Sequence, residues 1–329
     1  MGEKIEKELK WAVLGTGIIA NEMAQALEKM GKKLYAVANR THSKAVEFAG
    51  KYGVQKIYDK IEDMFTDEET DIIYITTPHN THIKFMIEAL ENGKHVLCEK
   101  SITLNSEELE EAVEIAKEKN LILGEAMTIF NMPLYTELLE IVNSGKLGDV
   151  RMIQVNFGSY KEYDMSNRFF NRNLAGGALL DIGVYAISIT RLFMLSKPDN
   201  VLSQVKYAPT GVDEQVGIIM MNKEQQMSTI ALTLHSKQPK RVVIACEKAY
   251  IEITEYPRAD KAKIVYTETG EVEEITAGMT SNALQYELQN MEESVRTGIN
   301  KMKLEYTIDV MDIMTKLRKD WGMTYPEEE

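Results

Sequence analysis

The chain has 329 residues, of which 44% are hydrophobic and 27% charged, and its formal net charge is −13. That length exceeds one ordinary core and suits two soluble globular domains of about 150 residues each. Excess acid argues against nucleic acid or an anionic membrane as partner, since both need a basic surface to neutralise phosphate, and leaves a small molecule as the expected ligand.

Two cysteines, Cys98 and Cys246, offer no disulfide framework. The first ten residues are charged without an apolar stretch, and no apolar run approaches ~20 residues, so a cytoplasmic protein outside the membrane is expected. Residues 11–14, Trp-Ala-Val-Leu, form an unbroken apolar run, as in a strand buried on both faces of a parallel sheet. From Ile18 the apolar residues recur at helical spacing, and Gly31 stands where a helix C-cap belongs. The turn between is Gly-x-Gly-x-x-Ala at Gly15, Gly17 and Ala20. Gly15 permits the tight turn, Gly17 lets a pyrophosphate approach the backbone, and Ala20 lets the helix lie close to the strand. The helix N-terminus aims unpaired N–H groups and a positive dipole end at the same place. Gly15, Thr16, Gly17, Ile18 and Ile19 are therefore the candidate phosphate cradle, with an ordinary βα turn as the alternative.

A second strand, 34–38, ends at Asn39, Arg40 and Thr41, where a dinucleotide fold holds the adenosine ribose. An NAD site usually places a carboxylate there. Arg40 instead offers a planar fork suited to a 2′-phosphate, which favours NADP over NAD; the alternative is that Arg40 stacks on adenine or faces solvent. Helices over 43–52 and 61–65 and a brief strand at 56–58 precede a fourth strand, 72–76. That strand opens into Thr76-Thr77-Pro78-His79-Asn80-Thr81-His82 at the carboxyl edge of the sheet, where open α/β folds bind ligands. Thr76, Thr77, Pro78, His79 and His82 are candidates for the nicotinamide side. No metal is expected, because the two histidines have no acidic or cysteine partner at ligand spacing, and His82 is expected to pack at the start of a helix over 83–92. The fifth strand, 95–98, delivers Glu99 and Lys100 to the same edge. A lysine there can hydrogen-bond a substrate oxygen and stabilise a developing alkoxide, or it can be an ordinary solvated strand end. A helix at 106–119, a sixth strand at 121–125 and a helix at 133–144 complete a doubly wound parallel sheet.

Beyond Gly148 the runs become longer and richer in β-branched residues, at 150–160, 201–208, 214–221, 227–234, 241–246, 249–254 and 261–268. They predict a large, mostly antiparallel open sheet covered on one face. One helix interrupts them, starting at Gly176-Gly177 and reaching about residue 195, with Asp181 and Tyr185 one turn apart on one face. An aspartate among aliphatics needs a hydrogen-bonded role; otherwise Asp181 caps the helix and Tyr185 is core. Amphipathic helices follow at 282–297 and 307–321, and the tail from Pro326 is expected to fray. The expected organisation is an α/β Rossmann domain over 1–128 and an α+β domain over 129–329 whose last helices pack back on the first. The uncovered sheet face predicts a homodimer or homotetramer.

Four stretches in this order resemble the glucose–fructose oxidoreductase and inositol dehydrogenase (Gfo/Idh/MocA) oxidoreductase family. They are Gly-Thr-Gly-Ile-Ile-Ala at Gly15, Thr-Thr-Pro-His-Asn-Thr-His at Thr76, Cys-Glu-Lys at Cys98, and Gly-Gly-Ala-Leu-Leu-Asp-Ile-Gly-Val-Tyr at Gly176. Within it the chain looks most like the dimeric dihydrodiol dehydrogenases and NADP-linked xylose dehydrogenases. The resemblance implies hydride transfer between NADP, or NAD, and a carbinol or carbonyl carbon of a sugar, polyol or vicinal diol, with Lys100, Asp181 and Tyr185 around the reacting carbon. Relatives of other kinds imply two alternatives, a cofactor-binding regulator without turnover and an NAD-dependent glycosidase. Two departures stand out: Ser101 replaces the usual proline after the lysine, and Tyr185 stands where many members have histidine. A tyrosine base needs a cation to stabilise its phenolate, and Lys100 is the candidate. Substrate choice is expected from side chains such as Tyr160, Arg168 and Asn173.

Overall fold

In the computed structural model, which describes residues 8–329, the first sheet is built from β1 (Trp11–Leu14), β2 (Ala36–Ala38), β3 (Lys56–Ile57), β4 (Ile72–Ile75), β5 (His95–Glu99) and β6 (Leu123–Ala126). Their order is β3-β2-β1-β4-β5-β6, and every neighbouring pair is parallel. Helices α1 (Ile18–Lys29), α2 (His42–Tyr52), α3 (Ile61–Phe65), α4 (His82–Glu91) and α5 (Ser106–Glu118) cover its faces, so β1 and β4 are buried along their whole length. That is why these strands read as continuous apolar runs. The strand order reverses between β1 and β4, and the carboxyl ends of β1, β4 and β5 open on the crevice where this topology binds ligands.

After α6 (Thr128–Asn131) and α7 (Pro133–Asn143) come β7 (Val150–Gly158), α8 (Val184–Phe193), β8 (Asn200–Tyr207), β9 (Asp213–Met221), β10 (Met227–Thr233), β11 (Gln238–Cys246), β12 (Ala249–Thr254), β13 (Lys261–Tyr266) and β14 (Val272–Thr276). These eight strands form one sheet in the order β14-β13-β12-β11-β7-β10-β9-β8, antiparallel except where β7 meets β10. α8 packs against its inner face. Arg172–Phe193, the one stretch among the described residues long and apolar enough to cross a bilayer, is mostly buried within the fold.

Helices α9 (Ala283–Thr297) and α10 (Leu304–Trp321) return to the first sheet. Leu284, Leu288, Met291 and Met302 join the core beneath β1 and α1, where Trp11 Nε1 donates to the buried Glu292 at 3.1 Å. Gly124 in β6 leaves the room that Met302 occupies, since a Cβ there would stand 2.7 Å from its Cγ.

Three features differ from the expectations. α6 and the edge strand β14 were not anticipated, because four residues are too few for a periodic signal and Val-Glu-Glu-Ile-Thr carries the charge that edge strands use against further pairing. The glycine-led helix opens with a wider π-type turn at Leu179–Gly183 before α8 begins. The tail does not fray: Tyr325 is fully buried, and Glu328 accepts two hydrogen bonds of 2.6 Å from the buried guanidinium of Arg318. A buried arginine requires a carboxylate, and the tail supplies it. Glu327 and Glu329 are held by Asn80 and Arg172.

Candidate active site

Gly15 ends β1 with φ +110°, and a Cβ there would lie 2.4 Å from Thr76 Oγ1, so only glycine lets β1 and β4 close at this edge. Gly17 differs: an added Cβ would meet nothing within 4 Å. Its glycine leaves space above the N-terminus of α1 rather than serving packing within the chain, which fits a phosphate approaching the backbone. Thr16 Oγ1 accepts from Asn39 Nδ2 at 2.8 Å, joining the cradle to the end of β2. Ile18 is 83% exposed and Ile19 half-buried beside it. Arg40 and Thr41 are exposed at the rim.

Across the crevice Thr76 Oγ1 donates to Leu14 O at 2.9 Å, and Thr77 Oγ1 accepts from Thr81 at 2.8 Å. Pro78 leads into the short turn His79–Thr81. His79 Nε2 lies 3.1 Å from Lys100 O, and burial beside His82 and Lys100 pushes its imidazole down to about 3, so it is neutral and donates that hydrogen bond. His82, read above both as a cofactor candidate and as packing at a helix start, begins α4 fully buried, its ring nitrogens against the carbonyls of Thr77, Ser101 and Ile102. It fixes the two loops that flank the crevice. Glu99 likewise turns inward, accepting from Tyr74 OH.

Lys100, Asp181 and Tyr185 converge at this edge. Lys100 Nζ donates to Asp181 O at 2.7 Å, lies 3.5 Å from Asp181 Oδ1 and stands 4.8 Å from the centroid of the Tyr185 ring. Arg168 approaches the same Asp181 oxygen at 3.6 Å. Burial pulls the Lys100 ammonium down, but Tyr185, Asp181 and Glu99 outweigh it and hold lysine above its ordinary value. Burial pushes Asp181 up, yet Lys100, Arg168 and His79 keep it below the usual carboxylate range. The Tyr185 phenol is raised by burial, with Lys100 opposing. At neutral pH the site therefore holds a carboxylate, an ammonium and a protonated phenol. Ser101, the departure from proline, is fully buried and donates to Leu180 O at 2.9 Å, a bond proline lacks the group to make. The Lys100–Ser101 peptide is cis. Of the expected specificity side chains, Arg168 reaches the site, Asn173 meets Asn80 through its carbonyl, and Tyr160 stacks on His235 at 5.5 Å.

Residues that no local pattern announced stand behind this trio. Glu125 accepts from Ile102 N at 3.1 Å and from Thr307 Oγ1 at 3.0 Å, and burial raises it to about 7. Glu287 of α9 is buried and pushed well up by burial and by Glu99, while Arg258 reaches Glu22 of α1 at 2.9 Å.

The glycine pair seats Asp181. Gly177 has φ +129°, and a Cβ there would fall 2.1 Å from Asp213 Oδ1. Asp213 Oδ2 accepts from Leu179 N at 2.6 Å, and burial raises the carboxyl to about 7 from an ordinary 3.8. A carboxyl that holds its proton more tightly when folded stabilises the fold below about pH 4, and that contribution is lost as pH rises to about 7. Asp213→Asn is expected to flatten this part of the pH dependence, leaving the slope due to the other buried carboxyls, Glu125 and Glu287. Urea midpoints of both proteins between pH 4.5 and 7.5, as about the usable window, check it; an unchanged slope contradicts it.

Residues 9–127 match the oxidoreductase family with an NAD-binding Rossmann fold, and residues 135–252 match the GFO/IDH/MocA C-terminal domain. The trans-1,2-dihydrobenzene-1,2-diol dehydrogenase of Xenopus laevis is 30% identical over 329 residues, covering 96% of this chain and 99% of that protein. The human protein of the same name is 27% identical, covering 97% and 99%. Among solved structures, a 3-ketoreductase from Actinomadura kijaniata, a tyrosine-to-phenylalanine variant in complex with TDP-benzene and NADP, aligns with a TM-score of 0.85 at 18% identity over 95% of this chain and 98% of that one. A levoglucosan dehydrogenase in complex with NADH and levoglucosan aligns with a TM-score of 0.84 at 16% identity, covering 96% and 98%. With both halves matched in order and a relative at this identity spanning nearly the whole length, the chain belongs to the GFO/IDH/MocA oxidoreductase family.

Proposed function

We propose that this chain is an NAD(P)-dependent dehydrogenase or reductase that interconverts a hydroxyl and a carbonyl on a sugar, polyol or vicinal diol. The observation that carries this is the Lys100 ammonium set between Asp181 and the Tyr185 ring at the carboxyl end of β5, across the crevice from the Gly15–Ile19 cradle. A nicotinamide nucleotide held by that cradle and by the 76–79 edge supplies or takes up the hydride. Tyr185 moves the proton at the substrate oxygen, giving it in reduction and taking it in oxidation. Lys100 stabilises the oxygen's negative charge, and Asp181 fixes the lysine through its carbonyl and its carboxylate. Absorbance of the reduced cofactor, followed with a panel of aldoses, polyols and dihydrodiols, tests the reading. A net change supports it; cleavage of aryl glycosides without net change, or silence throughout, overturns it.

NADP is the favoured cofactor, because Arg40 stands exposed at the end of β2 with no ion pair among the described residues. Arg40→Ala is expected to lower the NADP-over-NAD ratio of kcat/KM by about 10- to 100-fold, the worth of a charge-assisted pair of hydrogen bonds. An unchanged ratio places the 2′-phosphate elsewhere.

The outer face of the large sheet supports a homodimer or homotetramer. Val272, Val265, Tyr250, Ala245, Met152 and Met227 line up in register across it as one apolar row. Met152 and Tyr250 are 40% and 39% exposed in the single chain. Light scattering is expected to give a multiple of the chain mass, and Met152→Glu with Tyr250→Glu to give the single-chain mass.

A further inference from the structure

The substrate side of the site holds more cation than its acids balance. Lys161, just past β7, stands 4.0 Å from the centroid of the Phe169 ring, and the Arg168 guanidinium lies 4.1 Å from the same centroid. Lys240 of β11 lies 5.3 Å from the Phe157 ring, which is 6.1 Å from that of Tyr185. The half-buried Lys161 is within Coulombic reach of Asp181, Arg168, Lys100 and Lys240, and burial with these cations pulls its ammonium down. The nearby acids are already committed. Asp181 is shared by Lys100 and Arg168, Glu255 pairs with Lys240 at 3.0 Å, and Glu99 accepts from Tyr74. Lys161 has no carboxylate partner among the described residues. In a chain where 51 acidic residues outnumber 38 basic ones, an unbalanced cationic wall beside the reacting groups runs against the overall charge.

We propose that the substrate carries an anionic group, a carboxylate or a phosphate, which Lys161 and Arg168 bind beside the carbon that reacts at Lys100 and Tyr185. This rests on the dehydrogenase reading above. An anion there takes charge-assisted hydrogen bonds from a lysine without a carboxylate partner among the described residues and from an arginine whose distance to Asp181, 3.6 Å, is long for a hydrogen bond. Binding it leaves Asp181 to Lys100. The Phe169 ring, with a cation against it from each residue, keeps the two positive groups together.

The probes are D-glucose, D-glucuronate and D-glucose 6-phosphate, which share a ring and differ in the group on its sixth carbon. Calorimetric titration into the NADP-loaded protein is expected to show at least one anion binding about tenfold or more tighter than glucose, with the gap narrowing between about 0.02 M and about 0.2 M salt. Which anion leads separates carboxylate from phosphate. Lys161→Met is expected to reduce the anion-to-glucose affinity ratio about tenfold, and Lys161→Arg to restore it in part. Where the panel turns over, the loss falls on KM of the anion rather than on kcat. Glucose binding as tightly as both anions, failure of both anions to bind, an equal loss for all three probes, or a loss that falls on NADP instead each overturns the proposal. The dehydrogenase reading fails by a different sign, silence of the cofactor absorbance with every probe, and the titration still decides the anion site in that case.

Discussion

Lys100→Met is expected to lower kcat/KM by about 10²- to 10⁴-fold, and Tyr185→Phe by a similar factor, the phenylalanine variant with little change in unfolding midpoint. Methionine keeps the stem of the lysine and removes the charge that faces Asp181 and the Tyr185 ring; phenylalanine keeps the ring and removes the proton. Because the two groups serve one oxygen, the double variant should cost about what the worse single variant costs; losses that multiply would mean independent roles. The pH dependence has a definite sign. Burial holds the phenol above its ordinary value, so Tyr185 is an acid at neutral pH. Oxidation of the hydroxyl, which needs the phenolate, should accelerate as pH climbs into the alkaline range, while carbonyl reduction should slow there. Tyr185→Phe should flatten both profiles. Retention of near-normal turnover by both variants would remove the assignment of Lys100 and Tyr185.

Tyr325→Ala is expected to lower the free energy of unfolding by about 3–5 kcal/mol, as for other fully buried aromatic side chains. The ring is completely enclosed with the Arg318 guanidinium 4.8 Å from its centroid, and the hydroxyl donates to Gly176 O at 2.7 Å. Tyr325→Phe, which keeps the ring and loses the hydrogen bond, should cost about 1–3 kcal/mol. Gly176 opens the turn that seats Asp181, so the alanine variant should also lose activity below its melting temperature. Urea unfolding followed by tryptophan fluorescence, run beside an activity assay, measures both. A midpoint shift near zero would mean that the tail is not docked.

The cofactor crevice is legible in the sequence because its signals are local. Gly15, Gly17 and Ala20 lie within six residues, and the polar runs after β4 and β5 each follow an apolar strand directly. The meeting of Lys100 with Asp181 and Tyr185 follows from the resemblance rather than from any pattern in the residues, since 81 positions separate Lys100 from Asp181. Even there the local geometry differs, with a π-type turn where a plain helix was expected. Lys161, Lys240, Glu125 and Glu287 carry no such signal. Each sits in an unremarkable stretch, and only the pairing of distant strands and the return of α9 bring them near the site. The docked tail is hidden for a related reason: Pro-Glu-Glu-Glu looks solvated by itself, and nothing local marks Arg318 on α10 as its buried partner.

The return of α9 and α10 to the first sheet bears on how the protein is made. The helices that finish covering β1 and β6 leave the ribosome after both sheets, so the first sheet, though synthesised earlier, waits with Trp11 lacking its Glu292 partner until α9 arrives. A nascent chain of this design should bind chaperones through its first sheet until α9 and α10 have emerged.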